Sequence, residues 1–433
     1  MEHLYSIFGR STGICTDTRN IRPGSLFFAL KGERFDANAF VAEALGGGAM
    51  HVVCSNPDFA SDPRCTLVPD TTAALQQLAA YHRDRLSIPV VGITGTNGKT
   101  TTKELVAAVL SKKFRTFATA GNLNNQIGVP LSVLSVDSSY DIAVIEMGAS
   151  HPGDIAELVA IAKPSHGLIT NVGKAHIQGF GSFEGVMQTK AELYDYVRRT
   201  SGTIFLNADN DNLVRMLGDY PQRVCYGTSD ARHCLVSGRI GCQSDFMQML
   251  WKTEADADYC IVTTQITGSY NLENALAAAT VGTFFGVDAD DICQALSEYR
   301  PTNSRSQIVE TSRNTLLLDA YNANPSSMNA SLDNFASLAR SGKMAILGAM
   351  RELGAISSDE HRQILEKLRH SGICDAWLVG PEFAEHAAQF PEFHFFDTTD
   401  ELVKRLSNNY FRHRFVLIKG SRSNRLEQLV PLF

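Results

Sequence analysis

The sequence predicts an α/β protein in three domains, and three observations carry that reading. At 433 residues the chain is too long for one compact core, since domains run to roughly 150 residues. Strand-like apolar runs alternate with helical patterns from Pro89 onward and again after Thr315, the βαβα order of mainly parallel sheets covered on both faces. Two turn-rich breaks, Ile88-Pro89 and Arg300-Pro301-Thr302-Asn303, divide these runs, because a residue before proline is pushed out of helical geometry. The expected domains are residues 1–87, 88–303 and 304–433.

The first domain holds short apolar runs at Ser25–Leu30, Met50–Cys54 and Thr66–Val68. A helical stretch Thr71–Leu86 follows, with Leu75, Leu78, Ala79, His82 and Leu86 on one face. The second opens on a buried-looking strand, Pro89–Thr94, and continues with strands at Ile142–Glu146, Gly167–Val172 and Thr203–Asn207. It becomes β-rich between Cys225 and Thr267 and then forms a helix over Tyr270–Phe285. The third repeats the alternation, with strands at Thr315–Asp319, Met344–Leu347, Ala376–Val379 and Phe415–Lys419. Pro325 suits the first turn of a helix running to about Leu338. This last segment reads as a doubly wound, Rossmann-like unit.

Composition narrows the function. Lys+Arg number 39 against Asp+Glu 46, a formal charge of -7, and 44% of residues are hydrophobic, close to ordinary globular usage. That argues against a disordered chain, an inserted membrane protein and a general nucleic-acid binder. An anionic ligand must then be held by a local site. Nine cysteines scattered from Cys15 to Cys374 contain no C-x-x-C pair, so neither a disulfide framework nor a zinc site is written here. The N-terminus lacks the basic start and apolar stretch of a signal peptide. The expectation is a cytoplasmic protein.

The most informative stretch is Gly92-Ile93-Thr94-Gly95-Thr96-Asn97-Gly98-Lys99-Thr100-Thr101. It follows an apolar strand and precedes a helical pattern, Glu104–Leu110, the context a phosphate-binding loop requires. Glycines let backbone amides turn onto phosphate oxygens, the helix start adds positive potential, Lys99 neutralises the outer phosphates and Thr100 can ligate Mg²⁺. The strict template wants glycine where Ile93 stands, so this is a variant loop. Glu146 ends an apolar strand at the edge where α/β sheets bind ligands, and it reads equally as a metal ligand or a solvent-facing strand end. His176, in Asn171-Val172-Gly173-Lys174-Ala175-His176-Ile177-Gln178-Gly179-Phe180-Gly181-Ser182, and Lys190, in Lys190-Ala191-Glu192, read on their own as structural or solvated groups.

Taken together, TGTNGKTT, the Glu146 strand end and NVGKAHIQGFGS followed by KAEL resemble the Mur ligase family of peptidoglycan synthesis. The likeness extends to Thr16-Asp17-Thr18-Arg19, FFALKGERFD (27–36), NLNNQIGVP (122–130), DAYNANP (319–325), Glu352-Leu353-Gly354 and Lys419-Gly420-Ser421-Arg422. It implies an N-terminal UDP-binding α/β domain, a central P-loop ATPase domain and a C-terminal Rossmann-like domain. It further implies an ATP- and Mg²⁺-dependent amide ligase, working as a monomer, that adds D-alanyl-D-alanine to UDP-N-acetylmuramoyl-tripeptide through an acyl phosphate.

On this likeness Gly95, Thr96, Asn97, Gly98, Lys99, Thr100 and Thr101 hold ATP phosphates, with Thr100 and Glu146 on one Mg²⁺. His176 and a carbamoylated Lys190 place a second Mg²⁺; these two and Lys99 are the catalytic candidates. Asn271 and Asn274 match an adenine-side motif, although they suit a helix-capping pair as well. Arg305 and Asp319 reach the nucleotide from the third domain, while Thr18, Arg19, Lys31 and Asn125 face the UDP substrate. The sequence departs from the family pattern at Tyr270, where a histidine is common, and at Ala349, where an aspartate is usual. The competing readings are another Mur-type or folylpolyglutamate-type ligase, and a nucleotide switch or inactive binding partner.

Overall fold

The computed structural model describes every residue except 33–34, 229–232, 243 and 408–410. Glu33 and Arg34 of the FFALKGERFD stretch thus lie outside the described residues. Among the described residues the strands form three sheets.

The first is parallel and follows chain order: Ile14–Cys15, Leu26–Phe28, His51–Cys54 and Cys65–Leu67. The helix after it, Thr71–Arg83, starts where the Asp70 carboxylate accepts from the amides of Thr72 and Ala73 at 2.8 and 3.0 Å, an N-cap. It ends three residues before Leu86, its expected end. There the Arg83 guanidinium turns onto carbonyl oxygens of Leu86 (2.7 Å), Ala162 (3.0 Å) and Lys163 (3.2 Å). Arg83 is 9% exposed and bolts the first sheet's helix to the end of a central-domain helix, Asp154–Ala162. His82 adds a bond to the Val136 carbonyl at 2.6 Å.

The central sheet runs, edge to edge, Thr116–Ala118, Ile142–Glu146, Val90–Thr94, His166–Ile169, Thr203–Asn207, Arg223–Gly227, Val236–Ile240, Gln248–Thr253 and Cys260–Thr263. Pairings are parallel up to Val236–Ile240 and antiparallel beyond it. Helices Lys99–Leu110 and Leu272–Phe284 pack together on one face. The expected helix over Tyr270–Phe285 is preceded by a short 3₁₀ turn, Ser269–Asn271. The third sheet runs Gln307–Glu310, Thr315–Asp319, Phe415–Lys419, Lys343–Gly348, Asp375–Val379 and His394–Phe396, with only the first pairing antiparallel.

The cores are not divided as the sheets are. Leu4, Leu26, Phe28, Val53, Leu75 and Leu78 of the N-terminal part join Val90, Val129, Ile145 and Leu158 in one buried apolar cluster. Clusters of the third sheet, around Leu317, Phe335 and Leu347 and around Leu316, Ile346 and Ile418, are separate. No helix among the described residues is long and apolar enough to cross a membrane.

Burial lowers the pKa of Arg83, yet carbonyl oxygens rather than a carboxylate hold it, so removing the side chain orphans several buried acceptors. Arg83→Ala should cost about 2–4 kcal/mol in the first urea-unfolding transition. Arg83→Lys should restore little, because an ammonium lacks the planar fork.

Candidate active site

The phosphate loop leaves Val90–Thr94, which lies between Ile142–Glu146 and His166–Ile169, the arrangement that opens a crevice at strand carboxyl ends. Gly95 has φ of 142°, and a Cβ there would lie 2.0 Å from the Thr170 hydroxyl. Only glycine lets the loop pass the neighbouring strand. That strand ends at Ile169 rather than at Val172, as the sequence suggested, because Thr170 and Asn171 turn inward to hold the loop. The Thr170 hydroxyl donates to the Asn97 carbonyl at 2.6 Å, and the Asn171 side chain accepts from the Asn97 amide at 2.9 Å. Asn324, from the third domain, donates to the Asn97 side-chain oxygen at 2.8 Å.

The amides of Thr96 and Asn97 are therefore committed to Asn171, although both residues line the central cleft. The helix Lys99–Leu110 starts at Gly98 without a side-chain cap, and such a start can present first-turn amides to an anion. Lys99 rests on the carbonyls of Gly95 and Thr96 at 2.7 and 3.0 Å. Burial brings its pKa down to about 8, with the Glu146 carboxylate acting against this and the nearby Arg305 cation reinforcing it.

Glu146 is 1% exposed. Its Oε1 accepts from the Thr100 hydroxyl at 3.2 Å and from Asn124 at 2.7 Å, while Oε2 is buried with no partner. A buried carboxylate oxygen without a donor, beside a threonine hydroxyl at a phosphate loop, fits a divalent cation. Among the described residues no group of three His, Cys, Asp or Glu could hold a metal ion unaided, so water or substrate oxygens would complete its coordination.

Lys190 is 2% exposed, on helix Phe183–Arg199, and its amine lies 5.5 Å from the centre of the Phe180 ring. Burial, helped by the Lys99 charge and opposed by Asp154 and Glu192, lowers its pKa to about 7. His176 sits against the other end of this segment, its ring centroid 6.3 Å from that of Phe180. It pairs with Glu352 of the third domain, and burial lowers its pKa.

A chain of polar side chains runs from the phosphate-loop helix into the third domain. Thr102 donates to Asn274 at 3.0 Å, Asn274 to Asn271 at 2.8 Å, and Asn271 to Ser306 at 3.3 Å. The Ser306 amide reaches Asp319 at 3.4 Å, and Asp319 pairs with Lys419 at 2.6 Å. Asn271 stands at the N-cap of its helix, yet its side chain makes no capping bond. Tyr270, in the place of the common histidine, bonds its hydroxyl to Ser306 at 2.8 Å. Ala349 is wholly buried, and a Cβ on Gly380 would lie 2.6 Å from its methyl group; that crowding leaves little room for a carboxylate.

Lys99, Glu146, His176, Asn271, Asn274, Arg305, Asp319 and Asn125 line one cleft of about 590 Å³. Thr18, Arg19 and Lys31 are not among its lining residues. Arg19 is exposed and bound to Asp17, and Lys31 lies 3.6 Å from Asp36. The Asn125 oxygen accepts from the amides of Ile127 and Gly128, a turn role. Ser306, Glu104 and Thr119, whose hydroxyl accepts from the Glu146 amide at 3.0 Å, escaped the sequence reading. Nothing local marks them, since each matters through partners distant in the chain.

Residues of the phosphate loop, the strand-end carboxylate and the third domain line this one cleft, and the chain belongs to the Mur ligase family of ATP-dependent ligases. Residues 93–282 match the Mur ligase middle domain and residues 304–422 the Mur ligase glutamate ligase domain. The sequence is 36% identical over 423 residues to UDP-N-acetylmuramoyl-tripeptide–D-alanyl-D-alanine ligase of Escherichia coli, spanning 96% of this chain and 92% of that one. A crystal structure of MurF from Acinetobacter baumannii superposes with a TM-score of 0.87 at 28% identity, over 99% of this chain and 97% of the other. MurF from Thermotoga maritima in complex with ADP gives 0.85 at 28% identity, with the same coverage. Within the family the chain resembles MurF, and membership implies ATP dependence.

Gly95→Ala should force the loop off Thr170. Calorimetric titration with ATP should show binding weakened at least tenfold, a cost above about 1.4 kcal/mol, with little change in far-UV circular dichroism.

Proposed function

We propose that this chain is the ligase that joins D-alanyl-D-alanine to UDP-N-acetylmuramoyl-tripeptide at the expense of ATP, a cytoplasmic step of peptidoglycan precursor synthesis. Likeness to MurF-type ligases along nearly the whole chain supports the substrates. The observation that most supports the chemistry is the unpartnered Glu146 oxygen beside Thr100 at an uncapped helix start.

In this reading the first-turn amides and Lys99 hold the outer phosphates, and a bound anion raises the lowered pKa of Lys99 and so secures its charged form. Arg305 adds a second cation from the third domain. The substrate carboxylate attacks the γ-phosphorus, the bond to the bridging oxygen breaks and ADP leaves. The dipeptide amine then attacks the acyl carbon, the carbon–oxygen bond to phosphate breaks, and phosphate departs as the nitrogen sheds its proton. The residues named act chiefly by positioning and by charge neutralisation. Mg²⁺ on Thr100 and Glu146 would offset charge on the β- and γ-phosphate oxygens.

Lys190 suits carbamoylation because its amine, with a pKa of about 7, is about half uncharged at neutral pH and largely uncharged above it. The neutral nitrogen bonds to the carbon of CO₂, one carbon–oxygen π pair moves onto oxygen, and the nitrogen gives up one proton to water, leaving an anionic carbamate able, with His176, to orient a second cation. The incoming dipeptide fits a smaller cleft of about 230 Å³ beside His176, lined in part by Asn322, Arg351, Ser421 and Arg422. An arginine there would meet its carboxylate.

Phosphate release and product mass should appear with D-alanyl-D-alanine and a UDP-muramoyl tripeptide. Lysine, diaminopimelate and glutamate should give neither as the incoming amine; turnover with one of them instead of the dipeptide would assign the chain to a different ligase. Lys190→Ala should lower turnover by roughly 10–100-fold. Wild-type activity should fall in CO₂-free buffer and return with bicarbonate. The amine protonates as pH drops through about 7, so CO₂ uptake should be lost below that value and favoured above it.

A further inference from the structure

Glu104 lies on the helix that begins at Lys99, and its carboxylate holds the segment joining the central and third domains. It accepts from the Asn303 side chain at 3.1 Å through each oxygen and from the Tyr299 hydroxyl. Lys103 lies 3.5 Å away and itself donates to the Thr119 carbonyl at 2.8 Å. Neighbouring residues of one helix thus grip the loop leading to Asn124 and the hinge leading to Arg305.

The backbone around Arg305 is unusual. Ser304 and Ser306 have φ of 56° and 47°, a left-handed conformation that non-glycine residues adopt only when their surroundings impose it. Upstream the imposing contacts come from Glu104, through Asn303 and Tyr299. Downstream they are made by Tyr270 and Asn271 on Ser306. Between these anchors the Arg305 guanidinium stacks on Tyr321, 3.8 Å from the ring centroid, and its Nε is buried without a partner. It also lines the cleft that contains Lys99. A buried donor left without an acceptor points to a ligand that supplies one.

We propose that Glu104 is a positioning residue for the ligation, setting Arg305 against the outer phosphates of the nucleotide by holding the hinge at Tyr299 and Asn303. The inference rests on the ligase reading above. It makes the phosphate-loop helix the element that registers the third domain on the bound nucleotide.

The test measures affinity for ATP with Mg²⁺ by calorimetry, alongside steady-state kinetics. Wild-type turnover with the dipeptide checks the ligase reading separately, whereas ATP affinity checks the role of Glu104 whatever the amine. Glu104→Ala should weaken ATP binding and raise its KM about tenfold, leaving KM for the UDP substrate unchanged. Tyr299→Phe and Asn303→Ala, which break the same grip while sparing Lys103, should reproduce the direction. Glu104→Gln, retaining an acceptor oxygen, should recover part of the loss. On an Arg305→Ala background Glu104→Ala should add little. Full additivity there, or an effect of Glu104→Ala that neither hinge variant reproduces, would overturn the proposal.

Discussion

The site depends on the way Asn97 is held. Its amide, carbonyl and side-chain oxygen are bonded to Asn171, Thr170 and Asn324 respectively, so one residue of the phosphate loop joins the adjacent strand and the third domain. A glycine-rich loop has much conformational entropy to lose. These bonds fix it before a ligand arrives, so less ordering is left for the binding step. The short strand ending at Ile169 and the narrow passage past Gly95 both follow from this clasp.

Much of this was legible in the sequence where the signals were local. Strands Ile142–Glu146, Thr203–Asn207, Thr315–Asp319 and Phe415–Lys419 fall where their apolar runs placed them, because buried parallel strands are written as unbroken apolar segments. The helix end at Arg83 and the strand end at Ile169 were misjudged because side-chain bonds to distant segments set both. The edge strands Thr116–Ala118 and His394–Phe396 and the helix Ala289–Glu298 went unread. Of the site candidates, Lys99, Thr100 and Glu146 could be picked out from motif and strand position. His176, Lys190 and Arg305 needed family likeness, and Glu104 and Ser306 acquire partners only in the folded chain.

The two junctions of the molecule differ in kind. Between the first sheet and the central one lie a continuous apolar core and a buried arginine held by carbonyls. Between the central and third domains the contacts are largely polar: Asn97 to Asn324, His176 to Glu352, Lys174 to Glu360 and Arg340 to Asp245. Polar contacts at a surface exchange readily with water and contribute little net energy. Parting the second junction would cost polar contacts that water can replace, whereas parting the first would expose an apolar core.

The shared core has a further consequence for recognition. A substrate anchored at the first sheet and reacting beside Lys99 must bridge two points whose separation cannot relax without tearing apolar packing. On the proposed reading the two sheets would act as a gauge: a peptide stem one residue short would leave its carboxylate away from the phosphate, and one residue long would overshoot it. Such discrimination would need no pocket for the missing or extra residue, because Leu26, Phe28, Leu75 and Val90, buried in one apolar cluster, tie the two sheets together.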